Sequence, residues 1–386
     1  MRGSNSTSDA EWRLLLAACS GVPGQEYLES IRAQLRETIR WKELFQLADH
    51  HRVLPLLYQG LSPVKDLVHA PEMQLLERHY QINLHKAMLL SRELIRIADR
   101  LSQAGIEFLP YKGLALAQMV YGDIALRQSG DIDLLIRSAD LPRTSNALRE
   151  IGYTPHAPLS ERQQRAYLKS GYECVFDGPA GPHLLEVQWA LQPRFYAVDY
   201  DLEELFQKAV PVEVAGYAMK TPSFEDLFVI LCLHAAKHVW GQLVWLCDLA
   251  RIIQLPALKW DLIAKQVREL RVVRIVQITL ALANNLLGIP IPAAAAELAQ
   301  DEEAPRLACE IERSIATRER YDVESLAYFR FMLRLREDKS DRLRFLTRLA
   351  FTPGPGEWNA VPLPGALFPF YRFVRLARLA ARAVRK

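Results

Sequence analysis

The chain has 386 residues, 50% of them hydrophobic and 24% charged, with a formal net charge of +3 at pH 7. Such a length has room for two or three compact units, and such a composition excludes wholesale disorder and any fibrous architecture. The small net charge makes no global case for a nucleic-acid partner, so local patterning has to carry the argument.

Met1 to Glu11 is polar and lacks the apolar stretch of a signal peptide. From Ala10 to about Arg100 apolar residues recur at helical spacing, as in Leu14, Leu15 and Ala18 and later Leu89, Leu90, Leu94 and Ile97. This pattern predicts an N-terminal helical region over residues 1–100. Ala104-Gly105 ends it, and Ile106 to Leu109 reads as a short strand that opens a mixed core over residues 101–222. Tyr111-Lys112-Gly113 turns into a short helix, Leu114 to Tyr121. Asp131 to Ile136 reads as a buried strand broken only by its two aspartates, and a helix from about Asp140 to Ile151 ends at Gly152. Two further strands, Tyr172 to Phe176 and His183 to Ala190, flank the glycine- and proline-rich turn Asp177 to Pro182, a hairpin signal.

Ser223, with Asp226 three residues on, caps a return to helix, and a C-terminal helical region is expected over residues 223–350. Its most apolar stretch, Val272 to Ala296, is interrupted by Arg274, Gln277, Asn284, Asn285 and two prolines, so no integral membrane span is expected. Cys19, Cys174, Cys232, Cys247 and Cys309 are scattered without metal-like spacing and read as reduced thiols, which suits a cytoplasmic protein. Residues 351–386 divide into a Pro/Gly-rich irregular connector, Phe351 to Leu367, and a last helix, Phe368 to Lys386. From Asp341 onward Asp341 and Glu357 stand alone against eight arginines and Lys386. Arg372, Arg375, Arg378, Arg382 and Arg385 recur at three- and four-residue steps and so line one helix side, with Phe370, Phe373, Val374, Leu376, Ala377 and Leu379 over much of the rest. Such a basic amphipathic helix can dock on the protein's own core, lie on an anionic membrane or hold an anionic acceptor. Docking is the expectation.

The chemistry concentrates between Lys112 and Ile136. On a strand, residues two apart project from one face, so Asp131 and Asp133 aim both carboxylates at one point. Two anions so close require cations. Mg²⁺ answers that need, because it takes hard oxygen ligands and is held by one or two carboxylates together with substrate phosphates. The pair therefore reads as a metal site for a nucleoside triphosphate.

Lys112-Gly113, Arg127, Asp131-Ile132-Asp133-Leu134-Leu135, Gly152-Tyr153 and Glu186-Val187-Gln188-Trp189 occur in one order on compatible elements. In that order they resemble the bacterial group of uncharacterised nucleotidyltransferases, within the polymerase-β superfamily. The likeness runs from about Leu101 to Ile253 and takes in His234 to Trp240 and Trp245 to Leu249. It implies an α+β fold, a small mixed-sheet nucleotidyltransferase core flanked by helical regions. Two departures stand out: the superfamily's Gly-Ser turn is Lys112-Gly113 here, and Gln188 follows the third acid where the group often has His.

Roles follow from charge and position. Gly113 would let the backbone approach phosphates; Lys112 and Arg127 would neutralise them, unless they are ordinary charges paired with acids; Ser129 could donate a hydroxyl. Glu186, facing away from Leu185 and Val187, is the third carboxylate, as general base or metal ligand beside Asp131 and Asp133. His234 and His238 share one helix face with Lys237 close by. Without a zincin glutamate or a third ligand, zinc is disfavoured there, and Lys237 and His238 are candidates to reach the triphosphate. Asp248 either pairs with one of these cations or caps local structure.

The expected reaction is transfer of a nucleoside monophosphate from a triphosphate to an acceptor, with two Mg²⁺ ions assisting and pyrophosphate leaving. The acceptor, a protein, peptide, small molecule or RNA, is not written in this sequence, nor is the oligomeric state. A nucleotide-binding or regulatory module without turnover, and a transferase acting on RNA ends, are the alternatives.

Overall fold

A computed structural model describes residues 9–21, 24–157, 159–179, 181–298, 301–318, 322 and 325–384. Met1 to Ser8 of the polar N-terminus, Ala180 of the hairpin turn, and Arg385 and Lys386 of the tail lie outside the described residues. The N-terminal helical region consists of α1 (Asp9–Cys19), α2 (Gln25–Gln34), α3 (Trp41–His50), α4 (Leu54–Leu61) and the long α5 (Ala70–Gln103). One stripe of α5 is buried, Leu90, Leu94, Ile97 and Leu101 among it, as the helical period requires.

The sheet begins with β1 (Phe108–Pro110), shifted two residues from the expected start, and continues through α6 (Gly113–Tyr121) and β2 (Ile132–Ile136). Then follow α7 (Leu141–Glu150), β3 (Thr154–Pro155), α8 (Glu161–Ser170), β4 (Glu173–Gly178) and β5 (Gly181–Gln188). These form a five-stranded sheet in the order β1-β2-β5-β4-β3. β2 and β5 run parallel, with Asp133 opposite Glu186, and the other pairs are antiparallel. Alternation then decides both faces. Ile132, Leu134, Ile136, Leu185 and Val187 pack with α5 and α7, whereas Leu135 packs with the C-terminal helices. A mixed sheet between helices is the fold class the motifs imply.

One hairpin escaped the sequence reading. After α9 (Leu202–Gln207), β6 (Val210–Val214) and β7 (Tyr217–Thr221) pair across Ala215 and Gly216, both at positive φ (51° and 82°). That two-residue turn is the primed geometry that matches strand twist. The Thr221 hydroxyl donates to the Pro110 carbonyl at 2.7 Å and fastens the hairpin to β1.

Helices α10 (Phe224–Lys237), α11 (Leu243–Ile253), α12 (Trp260–Leu270), α13 (Val273–Leu287), α14 (Glu303–Thr317), α15 (Leu326–Arg334) and α16 (Lys339–Phe351) follow. They share one hydrophobic core with α1, α3 and α4, so the two helical regions meet despite their separation in sequence. No helix among the described residues is long and apolar enough to cross a membrane.

The connector is not wholly irregular. It holds α17 (Pro355–Ala360), started by Pro355 and by Glu357 accepting from the Gly354 amide at 2.9 Å. The last helix, α18 (Tyr371–Val384), packs on α16 and α17. Its arginines do not share one environment. Arg375 is buried, donates to the Leu349 carbonyl and, with Arg378, binds the buried Glu357 carboxylate. Phe370 and Phe373 are exposed, as is Arg372, while the buried Glu357 carboxylate, costly if left unpaired, holds Arg375 and Arg378 inward. Docking of the tail is thus the arrangement found. Arg375→Ala, which leaves Glu357 with Arg378 as its remaining counter-charge, is expected to cost about 2 kcal/mol in urea-monitored unfolding, and truncation after Pro364, which removes both arginines, to cost more; unchanged midpoints in both would contradict a structural role for α18.

Candidate active site

A cleft of about 460 Å³ opens between the sheet and α10–α11, with Arg52, Lys112, Arg127, Ser129, Asp131, Asp133, Glu186, Gln188, His234, Lys237, His238 and Trp245 among its lining residues. A volume of this size suits a small-molecule site.

The floor is built by strand register. Asp131 stands one residue before β2 and Asp133 inside it, two apart; Glu186 lies opposite Asp133 on β5, and Gln188 two residues beyond Glu186 on the same face. Glu173, at the start of β4, is opposite Gln188. Gln188 is buried and connects this group: its amide donates to Glu186 at 3.0 Å and lies 3.5 Å from both Asp133 and Glu173, while its carbonyl oxygen accepts from the Tyr111 hydroxyl. The departure at position 188 thus places an amide donor among the acids.

These carboxylates are close to one another and out of bulk water. Burial, then repulsion from Asp133 and Glu173, pushes Glu186 up to about 8. Burial and Asp133 also raise Asp131, against the pull of Lys112, Arg52 and Arg127. Lys112 supplies the nearest counter-charge, its Nζ 2.9 Å from Asp133 Oδ1. Burial works against this ammonium, but Asp133 and Tyr111 hold it above the ordinary lysine range.

Gly113 lies just behind the lining. It has a φ of +53°, and a Cβ there would come within 3.4 Å of the Asp131 carbonyl oxygen, so glycine lets the turn pass close against the strand carrying Asp131. Arg127 is also in the wall, but its Nε donates to Asp248 at 2.9 Å and its Nη1 lies 3.4 Å from the Ser129 hydroxyl. Asp248, fully buried on α11, accepts from the Tyr121 hydroxyl at 2.8 Å as well. Asp248 therefore pairs with Arg127 and not with a cation of α10, because α11 packs against α6 and turns it toward the sheet.

The opposite wall comes from α10. Lys237 donates to the Tyr172 hydroxyl at 2.8 Å, and burial lowers its pKa. His234 and His238 form a ring cluster with Trp245, with centroids 4.9 to 5.3 Å apart. Burial, then the Lys237 charge, brings His238 down to about 3, and burial with Lys112 holds His234 well below its usual range. Both imidazoles are neutral stacking surfaces. Val239 and Trp240, just after α10, hold left-handed backbone (φ 52° and 48°), a strained conformation for a β-branched residue that the buried Trp240 and its bond to Thr279 maintain.

All the residues nominated from sequence except Gly113 meet at this cleft. Arg52, Gln128, Tyr172, Glu173, Gln242 and Val244 also line it and were not nominated. Glu173 carried a readable signal, since it opens the strand that pairs with Glu186. Arg52 carried none, standing well before the core in a helical region.

A family model described as uncharacterised nucleotidyltransferase matches residues 37–288. No curated protein and no solved structure matches the chain. The buried Arg127–Asp248 pair joins the sheet side of the cleft to α11, and Asp248→Ala leaves its guanidinium uncompensated. That variant is expected to lose about 3–5 kcal/mol of stability by urea unfolding, with Asp248→Asn, which keeps an acceptor, losing less; equal stability of Asp248→Ala and the parent chain would contradict the pairing.

Proposed function

Because the chain belongs to the uncharacterised nucleotidyltransferase family, we propose that it moves a nucleoside monophosphate from a triphosphate to an acceptor hydroxyl or phosphate and releases pyrophosphate. The observation that carries this reading is the gathering of Asp131, Asp133 and Glu186 at one cleft with Lys112, Arg127 and Lys237 around them. Acids on the floor suit a metal, and cations in the walls suit phosphates.

The donor chemistry fits Mg²⁺. The oxygens are hard, and the repulsion that adds to burial in raising Asp131 and Glu186 is what a divalent cation relieves. Among the described residues no three His, Cys, Asp or Glu side chains are gathered as a metal cage. Two carboxylates completed by substrate phosphates, the common Mg²⁺ arrangement, then assign the holding to Asp131 and Asp133. Bound there, two Mg²⁺ ions would neutralise the triphosphate and stabilise charge on the attacking and leaving oxygens.

The residues of the chain supply the rest. Glu186 takes the proton of an acceptor hydroxyl once a cation beside Asp131 and Asp133 lowers it from about 8, where it is mostly protonated at neutral pH, toward the working range of a base. The acceptor oxygen bonds to the α-phosphorus, the bond to the bridging oxygen breaks, and pyrophosphate carries away the electron pair. Lys112 and Arg127 bind phosphate oxygens, Arg127 held in plane by Asp248. Ser129 adds a hydroxyl, and His238 and Trp245 offer faces against which a base can stack.

A second reading, nucleotide binding without turnover, draws on the Lys112–Asp133 ion pair, which already neutralises one acid. Metal-dependent release of pyrophosphate separates the two. With labelled triphosphates and pools of protein, peptide, small-molecule and RNA acceptors, Asp131→Asn and Asp133→Asn are expected to abolish it while circular dichroism is unchanged, and full activity in either variant would sink the assignment. Glu186→Gln is expected to lower kcat about a hundredfold, with a smaller change in nucleotide affinity; the opposite split would make Glu186 a ligand and not the base.

A further inference from the structure

Four cationic side chains line the cleft: Arg52, Lys112, Arg127 and Lys237. Three have partners. Lys112 is bound to Asp133, Arg127 to Asp248 and Lys237 to the Tyr172 hydroxyl. The Arg52 side chain, alone of the four, makes no hydrogen bond or ion pair among the described residues, and it is the exposed member of the set.

Its backbone is committed to this position. The amide of Arg52 donates to the Asp49 carbonyl at 3.0 Å and that of Val53 to the Ala48 carbonyl at 2.8 Å. These are the two bonds of a Schellman ending to α3, with buried Val53 and Ala48 as its apolar contact. Arg52 occupies the left-handed position of that motif, φ +57°, where glycine is the favoured residue. Arg271 and Arg318 end helices in the same way, so the conformation by itself marks nothing. Arg271, however, has a structural use, donating to Ser340 at 2.7 Å. Arg52 has no such use and points its charge at the cleft.

The segment is also locked to the far wall. The Val244 amide donates to the His51 carbonyl at 3.3 Å and the Leu243 amide to His51 Nδ1 at 3.4 Å. Gln242, Val244 and Trp245 line the cleft beside it. Arg52 thus stands at the mouth, while Lys112 and Arg127 are buried deeper, their side chains 11% and 8% exposed. A triphosphate whose α-phosphate lies over the carboxylate floor would run its β- and γ-phosphates outward, toward a guanidinium with its donors unused.

Resting on the nucleotidyltransferase reading, we propose that Arg52, contributed by the N-terminal helical region, forms the subsite for the terminal phosphates of the nucleoside triphosphate. The helical region is then a part of the substrate site and discriminates triphosphates from monophosphates.

The test measures affinity of the full-length chain for the four common ribonucleoside triphosphates, and for their monophosphates, with Mg²⁺ by isothermal titration, beside thermal unfolding. Arg52→Gly places the favoured residue in the left-handed position, so Tm is expected to stay level or rise by about 2 °C. Triphosphate affinity is expected to fall about tenfold to a hundredfold, as for loss of a charge-assisted contact, with monophosphate affinity unchanged. Arg52→Lys should recover part of it. Undiminished triphosphate affinity in Arg52→Gly overturns the proposal, as does an equal loss for mono- and triphosphates. A parent chain that binds none of the triphosphates refutes the underlying nucleotide reading instead, a result distinguishable from both.

Discussion

Carboxylates held out of water on one face of a strand pair are the constraint around which this molecule is arranged. Asp133 and Glu186 face each other across parallel β2 and β5, Asp131 and Glu173 flank them, and burial raises the cost of the negative charge on Asp131 and Glu186. A fold that keeps such a cluster must bring cations to it. Lys112 arrives from the turn before α6, Arg127 from the loop before β2, Lys237 from α10 and Arg52 from the end of α3. Arg127 in turn needs a partner, and Asp248 on α11 provides it. The charge pattern therefore runs from the N-terminal helices through the sheet to α10 and α11, and the cleft sits where they converge.

Packing makes this convergence rigid. The helices before the sheet and those after it share one apolar core, and the sheet lies between that core and the face of α5 and α7. The segments around the cleft are fixed by hydrogen bonds between distant residues: the Leu243 amide to the His51 ring, the Val244 amide to the His51 carbonyl, and the Thr221 hydroxyl to the Pro110 carbonyl. Two left-handed stretches lie close to the cavity, Arg52 in its lining and Val239-Trp240 between the lining residues His238 and Gln242. Local strain of this kind persists only where surrounding structure determines it, and here buried Trp240 and the docked His51 do so.

The tail repeats the same physics on a smaller scale. Glu357 is buried at the start of α17, and Arg375 and Arg378 turn inward to meet it. The periodicity of the arginines identified the helix, but a single carboxylate eighteen residues earlier selected which of them would be buried.

Local pattern determined much of the molecule. Alternation along Ile132 to Ile136 defined a strand with two acids on one side, Ser223 and Asp226 marked the start of α10, and the ordered spacing of Lys112, Arg127, Asp131, Asp133 and Glu186 identified the family and the floor of the cleft. These are properties of neighbours in sequence, set by the period of a strand or helix. Tertiary structure decided the rest: that β2 and β5 run parallel with Asp133 opposite Glu186, that Asp248 serves Arg127, that Gln188 lies among acids, and that Arg52 reaches the cavity mouth. Each of these depends on a partner tens to hundreds of residues away, and a periodic pattern names the face a side chain occupies without naming what that face will meet.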